Sequence, residues 1–153
     1  MDKSQTEMNI LVTPEMANFS GKMHGGAMLK VLDEVAFTTA IQYCGNYAVT
    51  LSVDQVLFKN PVEIGEFVTF LASVNYTGRT SMEVGIKVVA KNLKEQVVRH
   101  THSCFFTMVA VDEQGNSIAV PPLKPTTELA KRRYNDALRR RQQRIDNHKV
   151  RQA

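Results

Sequence analysis

The 153-residue chain has the size of one domain, and its 43% hydrophobic and 22% charged residues are the composition of an ordinary globular protein. No apolar run reaches the length of a membrane span, and the opening Met-Asp-Lys-Ser-Gln-Thr-Glu lacks a signal-peptide pattern, so a cytoplasmic location without a membrane partner is expected. The net charge of +4 belongs to the tail: residues 128–153 carry nine Lys/Arg against three Asp/Glu, which leaves the preceding body at −2.

In chain order, residues 7–12 read as a short strand ended by Thr13-Pro14-Glu15. A loop follows, and then a helical pattern over residues 22–43, opened by His24-Gly25-Gly26 and stopped by Cys44-Gly45-Asn46. Four strand patterns come next, over residues 47–58, 66–76, 81–91 and 97–111, with a hairpin turn at 77–80. On the second of these, Val68, Phe70, Ala72, Val74 and Tyr76 alternate; on the third, Met82, Val84, Ile86 and Val88 do. The proline-rich stretch 119–125 can be neither helix nor central strand, and a second helix is expected over residues 128–144, fraying beyond Asn147. The order implies an α+β fold with a sheet of about five antiparallel strands and one long helix. One helix covers one sheet face, yet the last strand is apolar on both, so a second copy of the chain is expected to cover part of it: a homodimer at least. No internal repeat is evident.

Candidate chemistry gathers around the main helix. A Gly-Gly pair lets a ligand approach the backbone, and the first helical turn offers unpaired N–H groups to negative charge. At 100° per residue, Gly26, Leu29, Phe37 and Ala40 fall within about 40° of Asp33, while Lys30, Glu34, Thr38 and Gln42 form a polar stripe to one side. Asp33 therefore points into an apolar sector, where a carboxylate must be paired, shifted in pKa or exposed in a pocket. The plainer alternative is a helix acid paired with Lys30. His24 is a lone histidine, a type more often structural than catalytic. His100 and His102, two apart, are expected on one half-buried strand face with no third metal ligand near them. Arg79, Thr80 and Ser81 follow Gly78 on a hairpin and could hold a phosphate. Cys44 and Cys104 lack metal-type spacing and read as free thiols. No phosphate loop, dinucleotide fingerprint or nucleophile elbow is present, and no metal is expected.

The ordered set Asn18-x-x-Gly21-x-x-His24-Gly25-Gly26 with Asp33, Phe58-Lys59-Asn60-Pro61-Val62-x-x-Gly65, Gly78-Arg79-Thr80-Ser81-Met82, Phe106-Thr107-Met108-Val109-Ala110-Val111-Asp112 and Pro122-Leu123-Lys124-Pro125 resembles the hotdog-fold acyl-CoA thioesterases. The similarity is greatest to the bacterial single-domain acyl-CoA hydrolases, and it covers about residues 6–135. It implies a central helix wrapped by a curved antiparallel sheet, with residues 1–125 as the thioesterase domain and 126–153 as a basic helix and tail. It also implies dimers, often three to a hexamer, with the active site at the dimer interface. Carried over, Asp33 becomes general base or nucleophile, Asn18 orients the water or the thioester, and a backbone N–H near Gly25 or Gly26 polarises the carbonyl. Arg79, Thr80, Ser81 and Lys59 become contacts for coenzyme A, which is substrate and product rather than cofactor; no other cofactor is implied. The His-Gly-Gly form is closer to thioesterases of phenylacetyl-type substrates, which gives His24 a place among the candidate catalytic residues.

Two other readings are set beside acyl-CoA hydrolysis. A hotdog 3-hydroxyacyl-thioester dehydratase would pair His24 with Asp33. A non-catalytic acyl-CoA sensor would use Arg132, Arg133, Arg139, Arg140, Arg141 and Arg144 on nucleic acid or a membrane. A solvated surface helix with no nucleic-acid partner is the expectation for that tail.

Overall fold

The alternation of apolar side chains on four strands and the apolar stripe of one helix close on each other. In the computed structural model, which describes residues 2–54, 56–58 and 60–152, the elements are β1 (Gln5–Leu11), α1 (Gly25–Cys44), β2 (Ala48–Val53), β3 (Phe67–Thr77), β4 (Ser81–Asn92), β5 (Val97–Ala110) and α2 (Glu128–Gln152). The strands form one antiparallel sheet in the order β1-β3-β4-β5-β2. Its inner face supplies Val68, Phe70, Met82, Val84, Ile86, Val88, Phe106 and Met108 to the core, and α1 lays Met28, Leu32, Val35, Ala36 and Ala40 against them. This is the α+β hotdog arrangement, with one helix held in a curved sheet.

α1 begins at Gly25 rather than residue 22. Lys22 bridges to Glu63 and Met23 to Ala17 in extended fashion, so the chain cannot turn helical before His24, which is the N-cap. At the other end Gly45 takes a left-handed conformation (φ 73°), and its N–H donates to the Ile41 carbonyl. A residue with a side chain would be strained there.

Three bulges break the simple alternation. One leaves Leu51 unpaired, since Thr50 faces Met108 and Ser52 faces Thr107; regular pairing of β2 ends at Val53, short of the expected residue 58. Another leaves Asn75 unpaired, so Tyr76 turns to the outer face opposite Glu83 instead of continuing the inner row. The third leaves Thr101 unpaired, so His102 pairs with the buried Val88 and His100 with Val89. Consecutive residues of β4 point to opposite faces. The two histidines therefore do not share a face, as their spacing suggests; each bulge adds a residue and reverses the parity beyond it.

α2 runs to Gln152, beyond the expected end, and lies on the outer face of the sheet. Tyr134 meets Tyr76 edge-on at 5.2 Å, Ala137 is buried, and the Arg140 guanidinium stacks 3.6 Å from the centre of the Phe105 ring. Part of the outer apolar surface is thus covered by the chain's own tail rather than by a second copy. A belt of Leu29, Phe37, Tyr47, Val49, Leu51 and Val53 remains exposed along α1 and the edge strand β2, with Leu51 69% exposed.

Candidate active site

The turn before α1 is built by Asn18. Its Oδ1 accepts from the Ser20 N–H (3.0 Å), the Ser20 hydroxyl (2.8 Å) and the Lys22 N–H (3.1 Å). With the oxygen so engaged, the amide Nδ2 is left as a donor without a partner among the described residues. Gly21 allows the left-handed bend (φ 78°), and Met23 donates to the Val62 carbonyl at 2.7 Å. That carbonyl belongs to a loop pinned from below: Arg99 reaches both the Pro61 carbonyl and the buried Glu66, whose Oε1 also accepts from the Glu63 N–H. The bond from Arg99 holds the Glu66 carboxyl below its usual range, against the desolvation of burial.

The helix that follows is uncapped. His24 makes no side-chain cap, and no acid lies in the first turn. Helices usually place Ser, Thr, Asp or Asn at this position to occupy an orphan donor. Here the N–H groups of Gly25, Gly26 and Ala27 have no partner among the described residues, the first helical bond being Met28 N–H to the His24 carbonyl. The Phe58 ring lies against Gly25, where an added Cβ would come 3.3 Å from its edge, whereas nothing lies within 4 Å of a Cβ on Gly26. The turn is roofed on one side and open on the other.

Asp33 sits two turns further along α1. The sector is apolar as the wheel implies, but Leu29 and Phe37 are only partly covered and the carboxylate is exposed in the single chain. The Thr50 hydroxyl donates to Asp33 Oδ1 at 2.6 Å, and no ion pair joins Asp33 to Lys30 among the described residues. Thr50 is the functional candidate that sequence reasoning missed; it looks like one more polar residue on an alternating strand, and only the Leu51 bulge and the sheet order bring it to the helix. A large surface hollow, about 650 Å³ beside Gln5, Leu71, Leu129 and Arg133, lies elsewhere.

The remaining candidates are not gathered here. Arg79, Thr80 and Ser81 form the β3–β4 hairpin at the end of the sheet near Ala110 and Val120, by the C-terminal end of α1. Lys59 lies outside the described residues. His24 and Asp33 are nine residues apart on or beside one helix, about 13 Å along its axis, so they cannot act as one acid–base pair within a chain. His102 is inward, edge-on to Phe58 at 5.8 Å, with both ring nitrogens sealed and unpartnered among the described residues. Burial holds its pKa below the ordinary 6.5, with a smaller push from His100. Both cysteines are free and buried, and burial pushes the Cys104 thiol up to about 12, which makes it a poor nucleophile. No cluster of three or more metal-type side chains occurs among the described residues, and no helix is long and apolar enough to cross a membrane.

Residues 20–97 match the family model of the thioesterase superfamily, and the chain belongs to that family. It is 49% identical over 143 residues to the Helicobacter pylori protein VdlD, covering 94% of this chain and 82% of that one. Among solved structures it is similar to an apo-hexameric acyl-CoA thioesterase (38% identity, TM-score 0.91, covering 95% and 94% of the two chains). It is also similar to an acyl-CoA hydrolase from Staphylococcus aureus solved with butyryl coenzyme A and coenzyme A (30% identity, TM-score 0.85, covering 97% and 93%). Structures of the S. aureus hydrolase include alanine variants at one asparagine, one aspartate and one threonine.

Proposed function

We propose that the protein hydrolyses acyl-CoA thioesters to a carboxylic acid and free coenzyme A, at sites shared between two copies of the chain. The observation that carries this is the Thr50–Asp33 bond, a hydroxyl fixing the direction of a carboxylate that no cation among the described residues neutralises. The altered asparagine, aspartate and threonine of the S. aureus hydrolase follow one another at intervals of fifteen and seventeen residues, as Asn18, Asp33 and Thr50 do.

The need for two copies follows from helix geometry. Gly26 and Asp33 are seven residues apart on a rigid rod, about 10 Å at 1.5 Å per residue. A base and an oxyanion donor must both lie about 3 Å from the reacting centre. One chain cannot satisfy both, but two α1 helices packed antiparallel about Leu29 bring Asp33 of one against the turn of the other. The exposed belt on α1 and β2, and the fully exposed Phe19 of the turn, are the surface such a dimer would bury. The hexameric assembly of the apo thioesterase supports three such dimers as the full oligomer.

In that arrangement the thioester carbonyl oxygen sits against the Gly25–Ala27 N–H groups and the Asn18 amide N–H. Asp33, aimed by Thr50, takes a proton from water as its oxygen forms the new C–O bond. The C–S bond then breaks, and the thiolate takes the proton. Thiolate is a good leaving group, so the reaction requires no metal or organic cofactor. Arg79 and its hairpin neighbours are assigned to the coenzyme A phosphates.

The test is thiol release from coenzyme A thioesters of increasing acyl length, with Asp33→Asn and Asn18→Ala alongside. Saturated acyl-CoA should release thiol and both variants should lose most of the rate. Full hydrolysis by Asp33→Asn would refute the mechanism, and enoyl product without thiol release would assign the site to dehydration.

A further inference from the structure

The inward side of the basic tail, which covers the sheet, also carries two arginine–carboxylate contacts that the proposed chemistry does not use. Arg140 sends Nε and Nη2 to the two oxygens of Glu83 (2.9 and 2.7 Å) while stacking on Phe105. Glu83 is 1% exposed and also accepts from Asn75 at 3.3 Å. Gly85 leaves room for this layer: a Cβ there would lie 2.4 Å from Asn75 Nδ2 and 3.2 Å from Phe105. A buried carboxylate needs its cation, so this pair clamps α2 to the sheet.

One turn further on, Arg144 lies 4.0 Å from the same Glu83 carboxylate and makes a closer contact of its own. Its Nη1 donates to both oxygens of Asp54, at 3.1 and 3.3 Å, and both side chains are mostly covered. Asp54 is the residue at which β2 leaves the sheet, and its own N–H still donates to the Phe105 carbonyl at 2.9 Å. Four residues before it stands Thr50, which aims Asp33; four residues after it stands Phe58, which roofs Gly25. β2 is an edge strand weakened by the Leu51 bulge, and beyond Val53 it has no regular pairing. Asp54 is therefore a tether between the two: Thr50, which the sheet holds opposite Met108 before the bulge, and Phe58, which packs edge-on to His102 beyond it.

We propose that Arg144 is a positioning residue: by holding Asp54 it fixes the end of β2, and with it the aim of Thr50 and the seat of Phe58, so that α2 serves the active site from the opposite face of the sheet. This rests on the hydrolytic reading of the Asp33 site.

A charge-exchange cycle tests it, with Arg144→Asp, Asp54→Arg and the double exchange read by hydrolysis and by hydrogen exchange over residues 48–60. Each single reversal should lower kcat/KM roughly tenfold, mainly through kcat, and speed exchange in that segment; the double exchange should restore both to within about threefold. Arg144→Lys, which keeps the charge, should stay near wild type and guards against a reversal that merely unfolds α2. Unchanged kcat/KM and exchange in Arg144→Asp would overturn the proposal, as would a folded double exchange that stays impaired. If the wild-type protein released no thiol from any acyl-CoA, the hydrolytic reading would fall, while the exchange pattern would still decide whether Arg144 holds the segment.

Discussion

Gly26→Ala separates an open turn kept for chemistry from a glycine required by the fold. Gly26 is not among the glycines with positive φ, and a Cβ on it meets nothing within 4 Å. Local structure therefore gives no reason for glycine, and helix propensity argues against it by up to about 1 kcal/mol in a helix interior. Near the N-terminus roughly half of that is available, which for a chain of this size is a rise of about 1–2 °C in Tm. The space a methyl would fill is the open side of the Gly25–Ala27 N–H groups, unpartnered among the described residues, where the proposed mechanism puts the thioester carbonyl oxygen. Displacing it from one such donor costs on the order of a hundredfold in kcat. The expected variant is as stable as wild type or slightly more so, unchanged in oligomeric state by size-exclusion chromatography, and at least about a hundredfold slower in thiol release. A folded variant of wild-type assembly and kcat/KM would refute the reasoning, since the methyl would then stand where no substrate goes.

Thr50→Val keeps shape and removes the hydroxyl that aims Asp33; kcat should fall roughly tenfold with little change in KM or Tm, because the bond is exposed in the single chain and its effect is orientation. Leu29→Glu places a charge where two α1 helices are expected to cross, so light scattering should show monomers and thiol release should vanish with dimerisation. His102→Phe removes two sealed ring nitrogens while filling the same space, so hydrolysis should persist and stability should hold or rise. With its folded pKa depressed, the neutral His102 contributes stability fully above 6.5, and this is lost as pH falls toward the folded pKa, because the unfolded chain takes up the proton first. The Tm advantage of His102→Phe should therefore widen between about pH 7.5 and about pH 5.5; a constant difference, or lost hydrolysis, would give His102 another role.

The elements were legible because their signals are local: period-two alternation on β3 and β4, the Gly45 stop, the Thr77–Ser81 turn. The parity of side chains was not, because Asn75, Leu51 and Thr101 each add one unpaired residue that only the partner strand reveals. Asp33 could be singled out from its apolar neighbours on the wheel, but the same wheel could not say that Leu29 and Phe37 lie partly uncovered and that the carboxylate is exposed in the single chain. Thr50 and Arg144 acquire meaning through contacts 17 and 90 residues away in sequence. Asn18 was visible as part of a motif, whereas the engagement of its oxygen by Ser20 and Lys22, which leaves its N–H side without a partner among the described residues, is a matter of three-dimensional aim.

The stiffness of α1 has a consequence for inheritance. Since the rod keeps Asp33 and Gly26 of one chain apart, every site of the proposed dimer would draw its acid from one chain and its turn from the other. Asp33→Asn and Gly26→Ala, each inert alone, should complement when their subunits are mixed: a mixed dimer holds one doubly defective site and one assembled wholly from undamaged parts. Random reassortment makes half the dimers mixed, so about a quarter of wild-type activity should return from two dead proteins.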